Sequence, residues 1–350
     1  MIDKIYNKSL DNEITKEDAL DLVTKTNSFQ LFDTADKLRQ DIIGDKVTYV
    51  SNKAIDITDR CIIDCNFCSF KNSENYEMTI EEILESIKEA KELGVTEICL
   101  FGGIAKHMTI DYYSDLIKSI KKEYDICLHA LSPAEVYKSA EFTEMSIKDA
   151  LKQLKKAGMD TMTGASAEIL DDNIRQKICP NKLKSQEWID VVKEAHNQNI
   201  PTTSTIMYGT VEGWKERINH LFILKEIQEE THGFTELVPL SFLSENNRIG
   251  KSCFGATGID DLKLHAISRI ILSDIIPNIQ VSWIKLGVKM TQVILNCGAN
   301  DIGGTMIEDK ISVAAGANMD YLHYNEINSL ITSIDRVPQE RTTQYKYIKK

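Results

Sequence analysis

The sequence predicts an α/β protein, a (β/α)8 barrel of the TIM type with a helical N-terminal extension. Three observations lead there. A length of 350 residues suffices for one large barrel or for two average domains. Short runs rich in β-branched residues alternate with longer amphipathic segments, the pattern of βαβ units around a parallel sheet. No low-complexity or Pro/Gly-rich linker divides the chain, whose 6 prolines and 17 glycines are widely spread, so one continuous domain is expected.

Residues 1–45 are expected to form a helical extension packed on the barrel, because Thr15 to Val23 and Asn27 to Asp41 carry apolar residues at helical spacing. Residues 46–350 are expected to form the barrel, with a C-terminal helical segment. Strands are placed at Ala54–Thr58, Glu97–Phe101, Ile126–Ala130, Thr161–Thr163, Thr202–Met207, Glu236–Leu240, Ile279–Trp283 and Asp301–Thr305. The intervening helices have readable ends. Thr79 followed by Glu82 forms a capping box, and Gly94 and Gly158 stand where helices must stop. Strands four and eight are the weakest, which leaves a partial, open barrel as the alternative. In either geometry the loops that follow the strands gather at one rim, where active sites of this architecture sit.

Composition excludes some functions. Hydrophobic residues at 42% and charged residues at 27% are ordinary for a globular protein with a sizeable core. A net charge of −12 argues against a general nucleic-acid binder, which needs a basic surface. Met1 to Leu10 has no apolar signal core, and the apolar stretch Ile267 to Val281 is interrupted by Arg269, Asp274 and Pro277. No export and no membrane partner are therefore expected. With 8 cysteines and no export signal, a reducing cytoplasm is the expected location, and metal-binding, catalytic or buried thiols are expected over disulfides.

The segment Asp56 to Phe70 reads DITDRCIIDCNFCSF. Cys61, Cys65 and Cys68 follow the end of the first strand at the spacing C-x3-C-x2-C. A loop this tight can wrap three thiolates around one face of a 4Fe–4S cube, since each sulfur must reach a different iron. Three ligands leave one iron open to chelate the amino and carboxylate groups of S-adenosyl-L-methionine. An electron passed to the sulfonium then gives a 5′-deoxyadenosyl radical. Chance would produce this spacing roughly 0.004 times in a chain with this cysteine content. A zinc site would want four ligands, usually in two pairs or with a nearby His. The next cysteine, Cys99, lies within the second strand and the nearest His is His107.

Other residues fall at the same rim. Phe67 is placed to lie against an adenine ring, or to pack beneath the cluster. Gly102 and Gly103, directly after the second strand, allow close main-chain approach to the methionine moiety, or simply a turn. Ser166 and Glu168 follow the fourth strand in GASAE and suit ribose or ammonium contacts, with a helix cap as the plainer reading. Tyr208 and Glu212 follow the fifth strand with Gly209 and are further candidates to hold the cosubstrate. His129 and Ser132 follow the third in HALSP, and Trp283 and Lys285 follow the seventh in SWIKLG. His129, Ser132, Tyr208 and Lys285 are the candidate substrate contacts. A satisfied core His and a surface Lys are the ordinary alternatives for His129 and Lys285.

The series C-x3-C-x2-C, GG, HALSP, GASAEILDDNIRQKICPNK, TTSTIMYG-x-x-E, GFTELVPLSF, SWIKLG and NCGANDIGGTM runs from Lys53 to about Arg341. In these motifs the chain resembles the radical S-adenosylmethionine enzymes that build deazaflavin and futalosine-derived cofactors. ICPNK, ELVPLSF and SWIKLG bring it nearest the hydroxyphenyl-transferring branch, which serves coenzyme F-420 synthesis. The resemblance implies L-tyrosine and 5-amino-6-(D-ribitylamino)uracil as substrates, a second radical enzyme that closes the deazaflavin ring, and a low-potential electron donor. It implies hydrogen abstraction from tyrosine, scission of its Cα–Cβ bond, and capture of the hydroxybenzyl fragment at C5 of the pyrimidine. Three positions depart from the family pattern: Thr210 where His is usual, and Leu131 and Cys297 where Phe is common. The nearest alternatives are aminofutalosine or cyclic dehypoxanthine futalosine synthesis. A non-radical iron–sulfur or zinc protein is the alternative of another class.

Overall fold

A computed structural model describes residues 2–72, 75–317 and 321–348. Three helices open the chain: α1 (Ile2–Leu10), α2 (Lys16–Lys25) and α3 (Ser28–Ile43). Strands β1 (Lys46–Val50) and β2 (Asn52–Asp56) follow with only Ser51 between them. The chain then continues through α4 (Ile80–Glu92), β3 (Glu97–Phe101), α5 (Ile110–Glu123), β4 (Cys127–Ala130), α6 (Pro133–Phe142), α7 (Ile147–Ala157), α8 (Asp172–Ile178) and α9 (Ser185–Asn197). The second half holds β5 (Thr202–Tyr208), α10 (Trp214–Thr231), β6 (Phe234–Ser241), α11 (Gly258–Leu272), α12 (Trp283–Leu295), β7 (Asp301–Gly304), α13 (Lys310–Ala314), α14 (Tyr324–Thr332) and β8 (Val337–Glu340). No helix among the described residues is long and apolar enough to cross a membrane.

Local chemistry sets the helix ends. Thr15 and Thr79 each accept the main-chain N–H three residues on, and Asp18 and Glu82 answer with their carboxylates. Gly158 closes α7 in the left-handed region at φ 119°, where a Cβ would be strained. In α3, Leu31, Ala35 and Leu38 form a fully buried stripe at helical spacing that packs on α11.

All the paired strands are parallel. One sheet runs β2–β3–β4, with Asn52 opposite Glu97 and Glu97 opposite Cys127. A second pairs β5 with β6, Thr205 opposite Val238. The third runs β7–β1–β8, with Thr48 opposite both Asp301 and Gln339. Isolated parallel bridges join the sheet edges at His129–Thr161, Met162–Thr202, Leu237–Ile279, Gln280–Asp301 and Lys53–Ile307. The expected α/β class is observed, with helices between parallel strands.

Several strands differ from expectation in extent. The first expected strand is β2, Asn52–Asp56, and a separate strand in another sheet, β1, precedes it in the β-branched run KVTYV. The fourth is reduced to bridges at Thr161 and Met162, where the ladder stops because Gly164 N–H donates to the Thr203 side chain at 2.7 Å. The seventh is likewise reduced to Ile279 and Gln280, and Trp283, expected to be extended, instead begins α12. After α14 the chain adds β8, which no apolar alternation in VPQE announces, and brings Arg341 back beneath the sheets.

Alternation along the strands decides what faces inward. Glu97, Cys99 and Phe101 of β3, Thr203, Thr205 and Met207 of β5, and Glu236, Val238 and Leu240 of β6 all line one internal cavity. Successive side chains point to opposite faces, so the residues between them face the helices.

Candidate active site

The cavity has a volume of about 410 Å³ and extends from the loops after the strands, at Gly102 and Ser132, down to Asn52 and Glu97 where strands begin. Cys61, Cys65 and Cys68 all line it as free thiols. Main-chain bonds fix their loop: Ile62 N–H donates to Ile104 O at 2.9 Å, Asn66 N–H to Ile178 O at 2.9 Å, and Arg248 N–H to Asn66 O at 3.0 Å. Burial raises the Cys65 and Cys68 thiols above the usual range, so a bound group must displace protons to coordinate them. Among the described residues, no three His, Cys, Asp or Glu side chains close around a single ion.

Gly102 and Gly103 sit against this loop. Gly103 N–H donates to Thr58 O at 2.7 Å. A Cβ on Gly103 would fall inside the carbonyl group of Arg60, the neighbour of Cys61. Gly103→Ala is therefore expected to push Cys61 out of place and weaken cluster loading about 10–100-fold, the range for disturbing groups behind a metal ligand. Iron bound per chain after reconstitution measures this, and an unchanged iron content would contradict it.

The wall opposite is the loop 164–170. Ser166 at φ 71° and Glu168 at φ 44° both occupy the left-handed region, a conformation that costs a side-chain-bearing residue about 1–3 kcal/mol. Arg175 fastens this loop: its Nη1 donates to Ala167 O at 2.5 Å and its Nη2 to Ser166 O at 3.2 Å. Trp188 adds a bond from Nε1 to Ala165 O at 3.1 Å. Glu168 then meets Lys182 at 2.6 Å, and the Lys182 ammonium lies 5.5 Å from the centre of the Phe67 ring. Burial opposes the charge on Lys182, but Glu168 and the thiols of Cys65 and Cys179 hold it well above the usual lysine range.

Beneath this, Ser132 caps α6 and is paired with Glu135. One Glu135 oxygen accepts Gly102 N–H at 3.2 Å, and the other accepts Ser132 N–H at 2.6 Å. Burial pushes the Glu135 carboxyl up to about 7, with these donors pulling the other way. Deeper still, His129 Nδ1 bonds Thr161 Oγ1 at 2.7 Å, and burial lowers its pKa while Glu97 opposes. The floor is an ionic network. Arg341 Nε donates to Asp301 at 2.6 Å, its Nη2 lies 3.4 Å from Glu236, and Tyr345 Oη donates to Glu236 at 2.6 Å. Thr343 Oγ1 donates to Glu97 at 2.5 Å.

Lys285 and Trp283 line the same cavity, whereas Tyr208 and Glu212 do not. Tyr208 faces outward from β5 next to inward-facing Met207, and its hydroxyl donates to Asp261 at 2.7 Å. Glu212 turns back on its own loop, accepting Gly209 N–H at 2.6 Å and Thr210 N–H at 2.9 Å, and pairs with Arg217 at 2.8 Å. Thr210 belongs to that loop and also lies off the cavity, as do buried Leu131 and Cys297. Sequence reading did not single out Glu135, Lys182, Glu236 or Arg341. The signal for Glu236 was present, since it shares the inward face of its strand with Val238 and Leu240.

One further ring ties the site to pH. His220 Nδ1 accepts Leu170 N–H at 3.0 Å and its Nε2–H donates to Thr205 O at 2.9 Å, which fixes the neutral form. Burial lowers its pKa to about 3, and lowers His196 and His265 to about 4. Folded values below the unfolded 6.5 mean that these rings stabilise fully above that pH and lose their contribution as pH falls through about 4. Glu135 and Glu236, both raised to about 7 chiefly by burial, act oppositely: their contribution is present below 4.5 and is lost as pH rises through 7.

A family model described as the radical SAM superfamily matches residues 55–224, and one described as the CofH/MqnC C-terminal region matches residues 231–350. The chain is 50% identical to the 5-amino-6-(D-ribitylamino)uracil–L-tyrosine 4-hydroxyphenyl transferase of Methanocaldococcus jannaschii, over 98% of this chain and 99% of that protein. It is 47% identical to the protein of the same name from Archaeoglobus fulgidus, over 93% of this chain and 96% of that protein. Among solved structures, the FeFe-hydrogenase maturase HydG of Carboxydothermus hydrogenoformans superposes with a TM-score of 0.79 at 17% identity, over 98% of this chain and 80% of that one. Methylornithine synthase superposes at 0.75 and 16%, over 95% of this chain and 97% of that one. At these identities the likeness to the two structures is one of fold.

Proposed function

The chain belongs to the radical SAM superfamily and carries the CofH/MqnC C-terminal region, and from that premise we propose that it is a radical transferase acting on L-tyrosine. It cleaves the Cα–Cβ bond of tyrosine and joins the 4-hydroxybenzyl fragment to C5 of 5-amino-6-(D-ribitylamino)uracil in deazaflavin synthesis. The observation that carries this reading is the 50% identity to the M. jannaschii transferase along nearly the whole of both chains. The sheet-edge bridges suit a closed (β/α)8 barrel whose interior is the cavity.

The donor set suits a 4Fe–4S cluster. Three thiols on one loop line a common cavity, while Cys99, the fourth thiol lining it, stands on β3 bonded to Glu97 at 3.2 Å, so a cluster held by the loop would keep one iron without a protein ligand. Bound there with S-adenosyl-L-methionine, the cluster would supply an electron to the sulfonium and so a 5′-deoxyadenosyl radical. The protein's residues bind and orient. Phe67, Gly102, Gly103, Ser166 and Glu168 line the part of the cavity beside the cysteine loop and would hold the cosubstrate, with Lys182 paired to Glu168. His129, Ser132 and Lys285 line the same cavity and would contact the substrates. Tyrosine gives up a hydrogen atom from its amino nitrogen, its Cα–Cβ bond breaks, and iminoacetate leaves. The benzyl radical adds to C5 of the pyrimidine, and the adduct then loses one proton and one electron, which the bound cluster in its oxidised state would accept. A deep cavity with a largely apolar lining limits the access of water to these radicals and holds the reacting atoms close. A low-potential donor supplies the priming electron, a second radical enzyme closes the ring, and a reducing cytoplasm keeps the ligand thiols available.

Anaerobic reconstitution with both substrates tests the reading. It should consume tyrosine and the pyrimidine and release methionine and 5′-deoxyadenosine. Turnover of a futalosine-type substrate, with no adduct from these two, would overturn the assignment.

A further inference from the structure

We propose that Lys285 binds the carboxylate of the amino-acid substrate, as the one cationic side chain lining the cavity that no acid neutralises among the described residues. The inference rests on the tyrosine reading given above. Three cations line the cavity. Lys182 is paired with Glu168 at 2.6 Å and Arg341 with Asp301 at 2.6 Å, whereas the Lys285 ammonium makes no hydrogen bond or ion pair with any described residue. The acids near enough to act on it are Asp309 and Glu168. Both are committed elsewhere: Asp309 accepts Ser312 N–H at 2.9 Å and its hydroxyl at 2.7 Å, and Glu168 holds Lys182.

The local chain places Lys285 deliberately. It sits in a single turn, with Leu286 N–H donating to Ser282 O at 3.1 Å. Buried Trp283 anchors that turn through Nε1–H to Gly304 O at 2.8 Å. Gly287, at φ 76°, then turns the chain into the rest of α12, a conformation that favours glycine. A desolvated ammonium without a counter-charge is unfavourable, and burial accordingly lowers the Lys285 pKa. An anionic ligand group removes that penalty. The ribitylaminouracil carries no anion, and the carboxylate of S-adenosylmethionine would be held by the open iron of the bound cluster. The tyrosine carboxylate remains. Held there, it fixes Cα and hence the bond that must break.

Equilibrium binding to the cluster-loaded enzyme with S-adenosylmethionine present separates the possibilities. The wild-type protein is expected to bind tyrosine about 10–100-fold more tightly than tyramine, which lacks only the carboxylate. Lys285→Met should abolish that preference by weakening tyrosine alone, and Lys285→Arg should restore most of it. The change that S-adenosylmethionine makes in the electron paramagnetic resonance of the cluster should be the same in all three proteins. Equal wild-type affinity for tyrosine and tyramine, an undiminished preference in Lys285→Met, or a weakening of S-adenosylmethionine instead would overturn the inference while leaving the reaction intact. A wild-type protein with no affinity for tyrosine would overturn the reaction reading as well.

Discussion

Cys65→Ala is expected to leave a folded protein that forms no 5′-deoxyadenosine, and Cys61→Ala and Cys68→Ala should behave alike. Each removes one of three thiolates, and a cube left with two protein ligands is lost or labile. The rate should fall by at least about 10⁶-fold, the lower end of what an enzyme supplies, because no other group in the cavity can generate the radical. The fold should survive, since hydrogen bonds from Ile62, Asn66 and Arg248 hold the loop through main-chain atoms that the substitutions leave alone. Cys65 is 9% exposed and its truncation removes only a small apolar group, so the thermal midpoint should move little. Iron content, product formation and melting are the three readouts. Product formation by any of the three variants at more than a trace would contradict the assignment of the cluster to this loop.

Arg341→Met is expected to have the largest effect on stability. Its guanidinium is 2% exposed and bonds Asp301, which is fully buried, while Glu236 beside it is 5% exposed. Removing the cation leaves two carboxylates uncompensated in the interior, and breaking such a buried set typically costs about 3–5 kcal/mol. For a chain of this size, with an unfolding entropy of about 2.1 cal/mol/K per residue, that corresponds to a fall of roughly 4–7 °C in the thermal midpoint. Adding Glu236→Gln to Arg341→Met should recover part of the loss, because one orphaned charge is removed with its partner. A single variant as stable as wild type, or a double variant less stable than the single, would contradict this picture of the floor.

The features legible in the sequence are those whose signal is local. Three cysteines within eight residues announce themselves, and Thr79 with Glu82 is a cap readable from adjacent positions. The β-branched runs gave β3 its limits to the residue. Residues that work through distant partners were not legible. Arg341 meets Asp301 and Glu236 only because β8 returns to pair alongside β1, and Thr343 meets Glu97 from the far end of the chain. Lys182 stands inside a segment that was noticed, but its role depends on Phe67 and Glu168 arriving from two other loops. Tyr208 was read as facing the cavity when strand alternation, with Met207 inward, turns it toward Asp261. The strand TTSTIMY is buried throughout and carries no polar–apolar alternation, so its inward face of Thr203, Thr205 and Met207 is set by the tertiary structure.

Tyrosine labelled separately with ¹³C at Cα and at Cβ distinguishes the proposed cleavage from every alternative. After anaerobic turnover with the ribitylaminouracil, the pyrimidine adduct should carry the Cβ label and none of the Cα label, which should appear in the two-carbon fragment. An adduct that retains both carbons, or one that carries neither, would contradict scission of the Cα–Cβ bond.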